Sequence, residues 1–413
     1  MVQLPASGAY LRAVRESARK IRETQHIQVN EDAIRALLLS PAFTTTFPRL
    51  SKNHGLALPL RFSSPLAELN FLAVISLLNF ASGYRAALHV ETGRGAWDNI
   101  RALAFAMHIE SAGDEGDLLS AAGMRSIGDG KVAELMRVNV HVERAHEQIP
   151  GVTVGELGGP MYELVRLVTK TLNETGAKLE EMGYPDLGTL VAEALRAGRK
   201  ARLPDKPDAD ADKVLEQIVR AIPAFQDMYE VDGEPVYCFK KALFLIHAIF
   251  VRFGSLEPPP FPAPETSGLP VFSDNVIPSM LVYLGVVDLS ASPLQRIFSE
   301  AQPNDDPHLK LAGLLALPLE IKKEQPRTDQ PPTESSKEGP VVSAREGYIL
   351  RAAAIDACET AVRVAHGMDV PADLEWIRAL TLPDLDAWLW AGAKDRSDYR
   401  QLSRFMERGT VFF

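Results

Sequence analysis

Apolar residues recur along most of the chain at the three- and four-residue spacing of an α-helix, which places them on one face. The spacing is found at Leu11, Val14, Ala18 and Ile21, at Leu164, Val168 and Leu172, and at Val214, Ile218 and Ile222. Alternation of apolar and polar residues, the pattern typical of a strand, is scarce. The chain is therefore predicted to form an all-α, multi-helix globular fold.

Residues typical of helix starts agree with this prediction. Asn30 precedes the apolar segment EDAIRALLL, and Ser64 is followed by Pro65, a residue favoured at the first helical position. Acidic residues between 205 and 212 precede another apolar repeat. We expect a helix to begin at each of these points.

Three segments interrupt the helical pattern. LPDKPDADAD, from Leu203, is typical of a short connector, and LEPPPFPAPETSGLP is rich in proline, which excludes helix. KKEQPRTDQPPTESSKEGP has almost no apolar residues and is typical of a flexible insertion. We predict a single catalytic unit over residues 1–413, with a flexible insertion at about 322–345. Two fused lobes that meet near 204–212 are the alternative.

Composition indicates which binding partners and which cellular compartment to expect. The chain has 413 residues, 44 basic and 54 acidic, and its net charge of -10 opposes binding to a nucleic-acid backbone. Cys238 and Cys358 are far apart in sequence and are predicted to be small core residues in a reducing compartment. The N-terminal segment has no secretory signal pattern, and polar residues interrupt the most apolar run, residues 66–84. We expect a cytoplasmic protein with no membrane partner.

Three motifs give little sign of metal or cofactor chemistry. His141 and His146 are five residues apart, which on a helix would turn one about 140° from the other, so they cannot share a face. ETGRGAWDN lacks the third glycine of a dinucleotide fingerprint, and IPGVTVGELGG, residues 149–159, is interpreted as an ordinary loop. We therefore expect neither a metal nor a cofactor.

The remaining candidate residues are scattered. They are His54, Lys240 and Lys241 in YCFKKALFL, Asp274 in VFSDN, and Asp384 and Asp386 beside Trp388 and Trp390 in LPDLDAWLWAG. Each has a structural alternative. Asp274 can hold a turn before a helix that begins at Pro278, and the lysines can be surface residues of a helix.

Taken in order along the chain, five segments resemble the queuosine salvage proteins, the queuosine 5′-phosphate N-glycosylase/hydrolase family. The segments are LNFLAVISLLNFASGYR, YCFKKA, FSDNVIPSML, EGYILRAAAIDACE and LDAWLW. The resemblance extends from His54 to Phe413. It implies an all-α fold related to helical DNA glycosylases and cleavage of the N-glycosidic bond of queuosine 5′-phosphate, which releases queuine. The expected partner is this small molecule rather than nucleic acid, and a monomer is expected.

The resemblance also implies roles for individual residues. Asp274 is the predicted catalytic carboxylate, Lys240 is expected at the 5′-phosphate, and His54 and Asp386 are expected to contact the base. Phe272 or Trp388 is expected to stack on the base, and Ser273 and Trp390 complete the predicted substrate-binding set. Where family members carry a second acidic residue after the LW of the last motif, this chain has Ala391, so Asp384 is a candidate replacement.

Two functions of other classes stay open. One is a non-enzymatic helical interaction module that uses the charged insertion, and the other is a glycosylase-like enzyme that acts on damaged DNA bases. Strong, salt-dependent DNA binding would favour the latter.

Overall fold

A computed structural model describes residues 2–52, 55–56, 60–111, 116–146, 148–298, 307–317 and 339–413. His54 and residues 318–338, most of the predicted insertion, lie outside these ranges. Within them the chain is mainly helical, which confirms the predicted class. The similarity to helical DNA glycosylases stays a prediction.

Seventeen α-helices are described along these ranges. They are α1 (Tyr10–Thr24), α2 (Glu31–Leu38), α3 (Pro41–Leu50), α4 (Pro65–Leu77), α5 (Arg85–Thr92), α6 (Ala96–Glu110), α7 (Ala121–Ser126), α8 (Asp129–Met136), α9 (Gly159–Glu181), α10 (Leu187–Ala201), α11 (Ala209–Ala221), α12 (Lys240–Phe253), α13 (Val276–Tyr283), α14 (Pro307–Leu315), α15 (Ala344–Gly367), α16 (Leu382–Asp395) and α17 (Ser397–Gln401). Four 3₁₀-helices are also described, at Ser82–Tyr84, Pro223–Phe225, Pro293–Phe298 and Ala372–Ala379.

The predicted helix starts are confirmed. The Asn30 side chain accepts from the backbone N–H groups of Asp32 and Ala33 at the start of α2, and the Ser64 side chain accepts from Ala67 N–H before Pro65. The acidic segment 205–212 spans the start of α11 at Ala209 and places Asp210 and Asp212 in its first turn, without a side-chain cap like those of Asn30 and Ser64. These caps satisfy N–H groups that the first turn of a helix leaves without a partner.

Three antiparallel strand pairs accompany the helices in the part of the chain that the structure describes. They are β1 (Gln28–Val29) with β6 (Val287–Asp288), β2 (His141–Ala145) with β3 (Thr153–Leu157), and β4 (Met228–Val231) with β5 (Glu234–Tyr237). The interpretation of residues 149–159 as an ordinary loop is therefore wrong for residues 153–157, which form the second strand of a β-hairpin. His141 also lies in a strand, so the helical rotation between the two histidines does not apply.

One cluster of buried apolar residues runs from Tyr10 to Phe413. Helices α10 and α11 pack against each other across the connector near residue 205, and α15 packs against α1, α2, α13 and α16. Ser343 and Glu346 form a capping box at the start of α15. The two cysteines are buried and free, as predicted.

Helix α4 carries the most apolar run of the sequence, and its residues from Leu69 to Leu77 are buried in the core. Asn70 is satisfied there, since its side chain donates to Leu119 O and accepts from Gly188 N–H. Across the described ranges, no helix alone has the length and apolar composition to cross a bilayer. Residues 65–77 and 82–92 meet that criterion only as a pair bent by 60°.

Candidate active site

A pocket lies where the end of α4, the starts of α6 and α12, the loop before α13 and the middle of α16 converge. It holds about 420 Å³ of space free of protein atoms, including the part that opens to solvent. Its lining residues are Asn79, Trp97, Lys240, Phe244, Phe272, Asp274, Asp386, Ala387 and Trp390. The structure thus brings together five of the predicted site residues, which are separated by up to 150 positions in the chain.

Asp274 lies at the end of the loop that follows the proline-rich segment, and it is 7% exposed. Its Oδ1 accepts from the backbone N–H groups of Val276 and Ile277, at 2.6 and 3.3 Å. Helix α13 therefore begins at Val276 and not at Pro278, which lies within the first turn, where proline costs no hydrogen bond. Asp274 both holds this turn and lines the pocket.

Asn275, the second polar residue of this stretch, is held away from the lining residues. Its Nδ2 donates to Phe405 O at 2.9 Å, and its backbone oxygen accepts from Ser279 Oγ at 2.7 Å. Both bonds are buried. Asn275 thus fixes the start of α13 to the C-terminal segment of the chain.

Lys240 is the first residue of α12 and is 5% exposed. Its Nζ donates to Asn79 O at 2.7 Å and to Asn79 Oδ1 at 3.0 Å. Burial lowers the pKa of Lys240 to about 8, and the negative charge of Asp274 opposes that shift. The alternative of a surface lysine is wrong for this residue.

Lys241, its neighbour, is fully buried and is absent from the described pocket lining. Its Nζ donates to Leu77 O at 2.8 Å and lies 5.1 Å from the ring centroid of Phe80. Burial lowers the pKa of Lys241 well below its usual value. The surface alternative fails here too, and the two adjacent lysines have separate environments.

Asp386 projects from α16 into the pocket. Its Oδ2 accepts from the backbone N–H of Phe272 at 2.6 Å, and the side chain is 6% exposed. Burial raises the pKa of Asp386 to about 8; the Phe272 hydrogen bond lowers it and the Asp274 charge raises it further. Asp384, by contrast, accepts from Thr381 Oγ1 at 2.6 Å at the start of α16.

Aromatic rings form one wall of the pocket. Phe244 meets both Phe272 and Trp97 edge to face, with ring centroids 6.0 and 5.7 Å apart, and Trp97 meets Trp390 in the same way at 6.4 Å. Edge-to-face pairs of this kind are a stable arrangement. They give the pocket an apolar aromatic lining in addition to its charged groups.

Three predicted residues do not join the described lining. Trp388 is buried in the core, where its Nε1 donates to Thr46 Oγ1 at 2.8 Å and its ring meets Phe43 edge to face. The Ser273 side chain donates to Arg351 O at 3.1 Å. His54 lies outside the described residues. Ala391, at the position where the resembling proteins carry an acidic residue, is buried.

The sequence did not predict the other four lining residues, which are Asn79, Trp97, Phe244 and Ala387. Asn79 belongs to the first of the five resembling segments, and Phe244 lies one helical turn after Lys240, which puts both on the same side of α12. Trp97 falls in ETGRGAWDN, where the glycines suggest a dinucleotide motif and nothing local marks the tryptophan as a pocket residue.

A family model described as queuosine salvage protein matches residues 62–304, more than half of the 413-residue chain. The chain belongs to the queuosine salvage protein family. No curated protein matches it. The predicted family is therefore confirmed, and membership implies a role in queuosine salvage with a small, queuosine-related substrate.

The family match includes part of the pocket. Lys240, Phe272 and Asp274 lie within the matched residues, whereas Asp386 and Trp390 lie beyond residue 304. Among the described residues there is no group of three or more His, Cys, Asp or Glu side chains placed to hold a metal ion. The described pocket lining offers two carboxylates, one lysine, one asparagine and an aromatic wall.

Proposed function

We propose that this protein hydrolyses the N-glycosidic bond of queuosine 5′-phosphate to give queuine and ribose 5-phosphate. The observation that carries the proposal is the buried carboxylate of Asp274, which shares a pocket with Lys240, Asp386 and an aromatic wall. Family membership supports the substrate class.

The reaction breaks the bond between C1′ of the ribose and a ring nitrogen of the base. The bonding electrons leave with the base, so positive charge develops at C1′ in an oxocarbenium-like transition state. A water molecule supplies a hydroxyl to C1′ and a proton to the base nitrogen, which balances the reaction. A carboxylate held beside C1′ stabilises the charge or attacks the carbon to form a covalent intermediate.

The chemistry of the base increases the share of catalysis that has to come from Asp274. A purine can be protonated at N7 as it leaves, but a 7-deazapurine has carbon at that position. Stabilisation of the ribosyl cation therefore has to supply more of the reduction in activation free energy. Because Asp274 is tied to two backbone N–H groups by one oxygen, its carboxylate is fixed before substrate arrives, and a fixed charge needs little reorganisation in the transition state.

We assign recognition of the base to Asp386. The guanine-like edge presents an N–H and an amino group, both of which a carboxylate can accept. One Asp386 oxygen already accepts from Phe272 N–H, which orients the group. The raised pKa of Asp386 favours its neutral form at pH 7, and hydrogen-bond donors on a bound base would favour the charged form.

The remaining contacts follow from position. Trp390 and Phe272 offer faces or edges on which a flat heterocycle can pack. Lys240 brings a positive charge to the same pocket, where it would meet the 5′-phosphate as a point charge. With Ala391 in place of an acidic residue, the cyclopentenediol arm has to be bound by other groups.

Mass spectrometry tests the proposal. Purified protein is incubated with queuosine 5′-phosphate, and with guanosine and adenosine 5′-phosphates as controls. We expect free queuine from the first alone. Release of adenine or guanine at a comparable rate would contradict the assigned specificity, and absence of queuine would contradict the activity.

A further inference from the structure

A fully buried ion pair joins Asp227 and Arg351 outside the pocket. Arg351 Nη1 donates to Asp227 Oδ1 at 2.9 Å, and Nη2 donates to Oδ2 at 2.5 Å. Both side chains have 0% exposure. Tyr348 OH donates to Oδ1 at 2.8 Å, and the Phe413 ring lies 4.7 Å from the guanidinium carbon. Such a pair adds little net stability compared with apolar residues of the same size, so its presence calls for another explanation.

Asp227 builds the turn that leads into α12. Its backbone oxygen accepts from the N–H groups of Cys238 and Phe239, at 3.0 and 3.2 Å, and its Oδ2 accepts from Lys240 N–H at 3.0 Å. Phe239 has a φ of 47°, a left-handed conformation that is unfavourable for a bulky residue. Asp227 therefore holds the strained turn that places Lys240 in the pocket.

Arg351 fixes the loop on the other side of the pocket. Its Nε donates to Ser273 O at 2.8 Å, and its own backbone oxygen accepts from Ser273 Oγ at 3.1 Å. Ser273 immediately precedes Asp274. The Arg351 guanidinium thus binds Asp227 through Nη1 and Nη2, and through Nε it binds Ser273, the residue before the proposed catalytic carboxylate.

We infer that Asp227 and Arg351 are positioning residues that set Asp274 and Lys240 relative to each other. Neither residue lines the described pocket, so each acts through its neighbours. A carboxylate has to lie within a few tenths of an ångström of its working place beside C1′, and a misplacement of about 1 Å can cost roughly 100-fold in rate. The inference rests on the proposed function.

Arg351→Lys is the most informative variant. Lysine keeps the positive charge beside Asp227, but one ammonium cannot reproduce the planar fork that reaches two carboxylate oxygens and Ser273 O together. Arg22→Lys is the control, because Arg22 of α1 donates through Nε to Asp356 of α15 in a partly buried ion pair. Neither residue of that pair belongs to the described pocket lining. Tyr348→Phe removes a single donor to Asp227 and is the milder test.

The readouts are kcat for queuosine 5′-phosphate and the Kd of free queuine, both at a temperature where circular dichroism shows each variant folded. We expect Arg351→Lys to lower kcat by about 100-fold while the Kd of queuine, which lacks ribose and phosphate, changes by less than about two-fold. Arg22→Lys should change neither. A purely structural role would alter kcat only in proportion to the unfolded fraction.

Three results would overturn the inference. One is a kcat for folded Arg351→Lys equal to that of Arg22→Lys. The second applies if Arg351→Lys does not fold: it is a kcat for Tyr348→Phe equal to that of the wild type. The third is wild-type protein that releases no queuine, which refutes the proposed function and with it this inference; the first two results leave the proposed function intact.

Discussion

Asp386 accepts a hydrogen bond from the backbone N–H of Phe272 at 2.6 Å, across 114 positions of sequence. This bond ties α16 to the loop that ends in Asp274. Asp386, assigned to base recognition, is therefore hydrogen-bonded to the loop that carries Asp274, assigned to catalysis. A base that settles against Asp386 and Phe272 is brought to a defined place relative to Asp274.

Asp386→Asn tests base recognition. Asparagine keeps an oxygen for Phe272 N–H, but its amide nitrogen opposes donors on the base instead of accepting from them. Leaving one or two donors unpaired costs about 1–3 kcal/mol each, so we expect kcat/KM to fall by at least about 5-fold. Steady-state kinetics with queuosine 5′-phosphate measures this, and an unchanged kcat/KM would remove Asp386 from the base site.

The two tryptophans of α16 should behave differently. Trp388→Phe removes the Nε1 bond to Thr46 and leaves a gap in the core, so we expect a loss of about 1–3 kcal/mol in the free energy of unfolding with kcat/KM unchanged. Trp390→Ala opens the pocket wall and should raise KM with little loss of stability. Urea denaturation and kinetics on both variants check this, and the reverse pattern would refute the placement.

The pH dependence should be bell-shaped. Burial, with the Asp274 charge, raises the pKa of Asp386 to about 8, so its carboxylate becomes available to the base as pH rises toward that value. Burial lowers the pKa of Lys240 to about 8, so its charge is lost as pH rises further. We expect kcat/KM to be greatest near pH 8, with apparent pKa values that belong to the coupled groups.

Asp386→Asn supplies the control for that profile. It should remove the rise on the acid side and leave the fall on the alkaline side. A wild-type profile that is flat from about pH 6 to 10 would contradict the assignment of both groups.

Lys240→Met tests recognition of the 5′-phosphate. Methionine retains a long apolar side chain but removes the charge, and a hydrogen bond to a charged group is worth about 1.5–3 kcal/mol. We expect kcat/KM for the 5′-phosphate to fall by at least about 10-fold, while the value for unphosphorylated queuosine is little changed. Competition assays with both substrates measure the preference; equal losses for the two would assign Lys240 to another role.

Local sequence signals predicted the helices well. The apolar spacing from Leu11 to Ile21 and the caps at Asn30 and Ser64 act within one or two turns, so they can be read without tertiary information. The hairpin of β2 and β3 was missed because His141–Ala145 has a single large apolar residue, Val142, and most of its residues are exposed. Pairing with β3, rather than an apolar face, stabilises that strand.

The pocket was only partly predictable. Asp274, Lys240 and Asp386 were found through resemblance, since each alone has an ordinary structural explanation. Trp97 and Phe244 give no local signal, because a pocket wall is made by helices that meet only in the fold. Asp227 and Arg351 were missed for the same reason, since 124 positions separate them and they meet only in the fold. No local pattern in the sequence shows that either charged side chain is buried.

Asp274→Asn provides the most direct test of the account. Asparagine Oδ1 can still accept from Val276 and Ile277 N–H, so the start of α13 and the melting temperature should be nearly unchanged, while the negative charge beside C1′ is lost. With queuosine 5′-phosphate as substrate, we expect queuine release by the variant to be at least about 100-fold slower than by the wild type. Queuine release at the wild-type rate would contradict the central claim and leave Asp274 as a residue that only holds a turn.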